Sequence, residues 1–209
     1  MFIINQQNST NTISNNLIGS LTTDKSINVS SASASSLVKQ DLYDIFTMNQ
    51  GTTIISGNTI CNLFDNYSGS NSGTKARGIC TSYGSNTVEN NVVRNISTNS
   101  AQVGSGLNAT LVGISSSASV TGTTQSVNGN TVYNLSSLNT GVKTDVYGIY
   151  FYGPSNGTQT ISKNFVHTLS AATSNTTSNI HGINISYGLA NCSNNIIPNC
   201  SLENSDSDI

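Results

Sequence analysis

Hydrolysis of a glycoside by paired acid and base groups needs two carboxylates flanking the scissile bond. The nine acids of this chain, Asp24, Asp41, Asp44, Asp65, Glu89, Asp145, Glu203, Asp206 and Asp208, share no position of the repeat described below, and no catalytic residue is assigned. A calcium-assisted lyase would need a similar acidic cluster. The four cysteines lack the spacing of a zinc site, so no metal and no other cofactor is expected. What does gather is aromatic. Tyr147, Tyr150 and Tyr152 crowd into DVYGIYFYG, and tyrosine rings on a flat sheet suit the faces of sugars, with polar neighbours to take up the hydroxyls.

The element that must position these rings is a repeat. An apolar residue followed by Gly-Ile recurs at Ile79, Ile114, Ile149 and Ile183, with Asp44-Ile45 as a variant lacking the glycine; successive isoleucines are 34, 35, 35 and 34 residues apart. A second anchor, [I/V/C]-x-x-N-x-[I/V]-x-x-[L/I/C], occurs six times. Its copies run through Ile13, Asn16, Ile18 and Leu21, then Ile55, Asn58, Ile60 and Leu63, then Val88, Asn91, Val93 and Ile96. They continue through Val127, Asn130, Val132 and Leu135, then Ile161, Asn164, Val166 and Leu169, and end at Cys192, Asn195, Ile197 and Cys200. β-Branched anchors bracketed by Gly and Asn disfavour a helix, and no helical segment closes each repeat as a leucine-rich repeat would require.

The pattern therefore predicts an all-β chain, a single-stranded parallel β-helix of about six coils of roughly 34 residues, as one domain over 1–209. Identical positions stack, so the anchors form interior files. Asn16, Asn58, Asn91, Asn130, Asn164 and Asn195 form a ladder at a bend, with a partial second file at Asn62, Asn95, Asn134 and Asn199. The apolar residue three places before each Gly-Ile isoleucine also turns inward, and the glycine permits that break in alternation. DKSINVSSASASS, DNYSGSNSGTK and SAQVGSGLNAT read as loops. Outward positions around the Gly-Ile anchor then carry Tyr43 and Phe46, Arg77 and Cys80, Val112 and Ser115, Tyr147 and Tyr150, and His181 and Asn184, with Tyr152 further on. Tyr43, Phe46, Arg77, Tyr147, Tyr150, Tyr152, His181 and Asn184 are the candidate ligand-binding residues. The competing reading is that tyrosine is simply a good strand residue, stacked on the exterior or covered by a loop. Tyr83-Gly84 and Tyr187-Gly188 read as turns, Cys192 and Cys200 as small buried groups of the interior files, and Cys61 and Cys80 as outward-facing.

Composition narrows the partners. Charged residues make up 8% of the chain and the net charge is −2, with no basic stripe, so nucleic acid is not expected. No apolar run approaches the length of a membrane span, and the first residues lack the pattern of a signal peptide; membrane insertion is not expected, and a start directly inside a repeat suggests a piece of a larger protein. No amphipathic helix caps Met1 and SLENSDSDI makes a weak cap, which leaves parallel edges that favour end-to-end self-association.

GIYFYG with ISKNFVHTL, and GINISYG with CSNNIIPNC, resemble the repeats of the right-handed parallel β-helix proteins of the pectin-lyase-like group, in their Asn/Ser/Thr-rich form known from large secreted or surface proteins of bacteria such as the Bacteroidetes. The resemblance implies a right-handed coil and a secreted or cell-surface location. Enzymes of that group cleave acidic polysaccharides, and HGINISYG around His181 looks like the G-H-G-[I/L]-S-I-G stretch of polygalacturonases. The same register holds RGICTSYG and YGIYFYG, however, and the companion Asn-Thr-Asp, Asp-Asp and Arg-Ile-Lys motifs are missing. The expectation is a structural or adhesive module that binds a polysaccharide or cell-surface glycan on the tyrosine-bearing sheet; the alternatives are a polysaccharide lyase or hydrolase, or a self-associating filament or spacer.

Overall fold

A computed structural model describes residues 1–7, 10–31, 39–67, 73–118 and 120–203. The chain is an all-β parallel solenoid of about 5 turns, each of about 34 residues. Strands are labelled β1 to β19 in chain order. The first sheet stacks β1 (Phe2–Gln7), β5 (Leu42–Met48), β8 (Ala76–Ser82), β11 (Leu111–Ser117), β14 (Asp145–Tyr152) and β17 (Asn179–Tyr187). The second stacks β2 (Asn11–Ser14), β6 (Thr52–Ser56), β9 (Ser85–Glu89), β12 (Gln125–Asn128), β15 (Gln159–Ser162) and β18 (Asn191–Ser193). The third stacks β3 (Leu17–Ile18) and β4 (Ile27–Ser31) side by side on β7 (Thr59–Tyr67), followed by β10 (Val92–Thr98), β13 (Thr131–Ser137), β16 (Phe165–Ala172) and β19 (Cys200–Glu203). Among the described residues no helix is long and apolar enough to cross a membrane.

The interior is built from the expected files. Ile45, Ile79, Ile114 and Ile149 pair in register and are fully buried, as are Ile55, Val88, Val127 and Ile161 on the second sheet. Leu42, Ala76, Leu111 and Val146 turn inward with them. The glycine between is required by space. A Cβ at Gly148 would lie 2.2 Å from Val166 Cγ1 and 2.6 Å from the Gly182 carbonyl oxygen, and Gly78 and Gly113 are equally confined by Val93 and Val132. Asp44 holds this position in the second coil, fully buried, with neither carboxylate oxygen hydrogen-bonded.

At the corner between the second and third sheets, the residue before each ladder asparagine takes a left-handed backbone: Asn15, Gly57, Asn90, Gly129, Lys163 and Asn194, at φ between 55° and 65°. Asn tolerates that region and Gly is indifferent to it, which explains why five of the six are Asn or Gly. The turn leaves the next backbone N–H without a sheet partner, and the ladder supplies one. The main-chain N and Nδ2 of Asn16, Asn58, Asn91, Asn130 and Asn164 each donate to the Oδ1 of the next asparagine at 2.9–3.0 Å. From Asn58 onward, Nδ2 also donates to a carbonyl of the preceding coil, such as Asn91 to Ile55 at 2.9 Å. The second file bends inside the third-sheet strands, with Asn95 donating to Asn62 and Asn134 to Asn95 at 2.8 and 2.9 Å. Thr168, at φ 54°, interrupts it before Asn199.

Three sequence expectations change. Leu21 is exposed; the residue opposite Leu63 is Ile27, because Gly19–Ser26 loops out between β3 and β4 and folds against the outer face of the third sheet. There Arg94 Nη2 donates to the Leu21 carbonyl at 3.2 Å and Lys25 Nζ sits 4.4 Å from the Phe64 ring centroid. Ile27–Ser31 of the expected loop DKSINVSSASASS is therefore strand β4; residues 32–38 lie outside the described residues, as do residues 68–72 of the second expected loop and the acidic tail beyond Glu203. Leu21→Ser is expected to change unfolding free energy by less than ~0.5 kcal/mol and Ile27→Ala to cost ~1–2 kcal/mol, read by urea denaturation. The reverse order would restore Leu21 as the anchor.

The cysteines also depart from expectation, and all four are free. Cys61 is buried beneath the Gly19–Ser26 loop, its Sγ donating to the Ser20 carbonyl at 3.2 Å. Cys80 is half-buried. Cys192 and Cys200 do occupy the interior files, but in the last coil, where no described strand lies beyond them, and they are exposed.

Candidate functional site

The outer face of the first sheet does bring the predicted aromatic and polar residues into one register: Tyr43 beside Arg77, Tyr147 beside His181, Tyr150 beside Asn184. It does not leave them open. Tyr147 and Tyr150 are each 4% exposed and Arg77 2%, because residues 100–110, the third expected loop, fold over this face and bring Ala109 against Val112, Tyr147 and Tyr150. Gly106 lies directly on Tyr150, where a Cβ would be 3.1 Å from the phenolic oxygen, and its N–H donates to the Tyr147 hydroxyl at 3.3 Å. Tyr147, Tyr150 and Arg77 are thus corrected from glycan contacts to the floor of a small second core. The physical reason is area. Two tyrosine rings and a valine side by side form an apolar patch, and a Ser/Gly/Asn-rich segment that sets Ala109 and the backbone of Gly106 on it gains by covering it.

Arg77 locks the cover. Its guanidinium donates to the carbonyls of Ala76 (2.7 Å), Leu107 (3.1 Å) and Ala109 (2.8 Å), and burial of the charge lowers its pKa. Lys75 reaches Asn108 at 2.8 Å, and Lys143 reaches Ser105 at 2.7 Å while pairing with Asp145 at 3.2 Å. Arg77→Ala is expected to cost ~2–3 kcal/mol and to open the segment, giving new protease cleavage within 101–110 and quencher access to tyrosine fluorescence. An unchanged cleavage pattern would show that the apolar contacts hold it alone.

The remaining candidates sit at the margins. Tyr43 and Phe46 meet edge to face at 5.2 Å, half-buried, and burial pushes the Tyr43 hydroxyl up to about 12. His181, half-buried, packs on Tyr147 with centroids 4.9 Å apart, and Asn184 is half-buried in the last coil. The acids have structural posts. Asp145 accepts from the Asn179 main-chain N (3.1 Å) and Nδ2 (3.2 Å). Asp65 accepts from Gln40 (2.8 Å) and Thr98 (2.9 Å), while burial pushes its pKa up to about 6. Among the described residues, no three of His, Cys, Asp and Glu come together as a metal site.

Two aromatic groupings escaped the sequence reading. On the outer face of the third sheet, Tyr133 stacks on His167 at 4.8 Å and 7°, and Phe165 lies 4.5 Å from His167. The signal was present in the residues either side of the anchor valine, NTVYN and NFVHT, which must face outward if Val132 and Val166 face in. At the end of the first sheet, Tyr187 belongs to β17 instead of a turn: a register shift after Phe151 places Tyr187, not Ser186, opposite Tyr152, and the two rings stack at 5.2 Å and 24°. A bulge of this kind re-aims a side chain. Both stacks show a general consequence of parallel, in-register pairing. Rings one coil apart cover each other's faces and offer their edges to solvent.

Fold and surface together define the class as a parallel β-solenoid with part of its aromatic face covered by residues 100–110. The chain matches no family model, no curated protein and no solved structure.

Proposed function

We propose that the chain is a rigid structural module of a secreted or cell-surface protein with an adhesive role directed at carbohydrate. The observation that supports this reading is the asparagine ladder, bonded without interruption from Asn16 to Asn195, which ties every coil to the next along the axis while loops project sideways. A stiff rod with lateral loops suits display and spacing. The likeness of the repeats to pectin-lyase-like proteins adds the extracellular setting; a polysaccharide lyase or hydrolase is the less favoured alternative because Asp65 and Asp145 have their oxygens engaged in holding loops. The purified chain, applied to an array of neutral and acidic polysaccharides, is expected to bind without releasing reducing or unsaturated ends. Release of either would overturn the reading in favour of the enzyme.

One observation favours a second reading, end-to-end association. Ile13 and Ile18 in the first coil are 8% and 5% exposed, whereas Ile197, at the position of Ile18 in the last coil, is 48% exposed and its neighbour Ile196 61%. A self-associating module would bury that end, and light scattering would show oligomers that Ile197→Asp dissolves.

A further inference from the structure

The Tyr152–Tyr187 stack leaves one of its tyrosines open to solvent. Tyr187 is 51% exposed, with one face of its ring covered by Tyr152. Beside it is a cavity of about 360 Å³ lined by Ser155, Ile185, Ser186, Tyr187, Gly188 and Leu189. The rim is held in place. Gln159, 3% exposed, donates to the Pro154 carbonyl at 2.7 Å and accepts from the Leu189 N–H at 3.2 Å, while the Gly153 N–H donates to the Tyr187 carbonyl at 2.9 Å. Gly188 admits this arrangement: its φ is 99°, and a Cβ would fall 2.3 Å from Gln159 Oε1.

We propose that this corner is a glycan subsite that takes one pyranose unit of a neutral saccharide, its C–H face against the exposed ring of Tyr187 and the apolar floor of Ile185 and Leu189, with hydroxyls toward Ser155 and Ser186. The proposal rests on the adhesive reading above and relocates its contact point from Tyr147 and Tyr150. Ring geometry selects the ligand: a sugar stacks on an aromatic face and gains little from an edge. Charge selects the class. None of the six lining residues is ionisable except the tyrosine, so nothing there pairs with a uronate or sulfate. The volume suits a single ring, at the small end of ligand sites.

The test is saturation-transfer NMR and tyrosine-fluorescence titration of the full chain with neutral oligosaccharides, and with uronate oligosaccharides as a second arm. Neutral sugars are expected to bind, with one ring receiving most of the saturation. Tyr187→Ala is expected to weaken binding tenfold or more and Leu189→Ser several-fold, while Tyr133→Ala on the third sheet leaves it unchanged. Binding that survives Tyr187→Ala, or is lost with Tyr133→Ala, would overturn the subsite and leave the adhesive reading standing. Preference for uronates would overturn the neutral class. Absence of any saccharide binding would overturn both readings, and oligomers that Tyr187→Ala disperses would make a second copy the occupant.

Discussion

Asn91→Ala is expected to lower the unfolding free energy by ~3–5 kcal/mol, since each buried group left unpaired costs roughly 1–3 kcal/mol. Asn91 is fully buried and its side chain makes four bonds: Oδ1 accepts from the Asn58 main-chain N and Nδ2, and Nδ2 donates to the Ile55 carbonyl and Asn130 Oδ1. Alanine strands the two donors and the Ile55 carbonyl in the dry interior. Asn91→Asp keeps the acceptor but sets a carboxylate against Asn130 Oδ1 and the Ile55 carbonyl, and is expected to be no better. The end of the ladder provides the control. Asn16→Ala removes an exposed bond to Ser14 and a part-buried one to Asn58 and should cost under ~1 kcal/mol. The chain has eight tyrosines and no tryptophan, so urea unfolding followed by tyrosine fluorescence reads both. Equal, small losses at Asn91 and Asn16 would show that the ladder follows the fold without stabilising it.

Asp44→Gly is expected to raise stability by ~2–4 kcal/mol at pH 7, because an unpaired buried carboxyl is among the costliest features a core can hold. Burial pushes its pKa well above the ordinary carboxylate range. The folded chain therefore holds this proton at a pH where the unfolded chain has released it, and the protein loses stability as pH rises above the unfolded value. Asp65 acts with the same sign up to about 6. The gain from Asp44→Gly should thus be largest at neutral pH and shrink toward pH 4. Glycine fits, since Gly78, Gly113, Gly148 and Gly182 hold the same post, and its chain-entropy penalty is only about 0.5–1 kcal/mol. Denaturation midpoints at pH 4 and pH 7 decide the matter. A variant no more stable than the parent at pH 7, or a pH-independent difference, would mean that Asp44 is accommodated by water or movement of the coil.

Much of the coil was legible in the amino-acid order because a solenoid is local and periodic. Each coil meets only its neighbours, so a file such as Ile55, Val88, Val127 and Ile161 states its own contacts, and Asn at a fixed step announces both a left-handed corner and a ladder. Where the period was broken, the sequence misled. Leu21 satisfied the spacing and Ile27 did not, yet Ile27 took the interior place, because an eight-residue excursion costs little loop entropy and buries Cys61 besides.

The order of residues alone specifies the class of fold, the inward files, the asparagine ladder and the face on which Tyr43, Arg77, Tyr147, Tyr150, His181 and Asn184 lie. Which of those side chains water can reach is set by how the coils and loops pack. Alternation fixes the side of a sheet, a property of one strand, whereas exposure depends on what the rest of the chain lays over that side. Residues 100–110 carry no periodic signal of their destination, and their docking on Arg77, Tyr147 and Tyr150 comes from apolar area and carbonyl geometry that exist only once the coils are stacked. The exposed ring of Tyr187 arose in the same way, from a one-residue register shift that sets it against Tyr152.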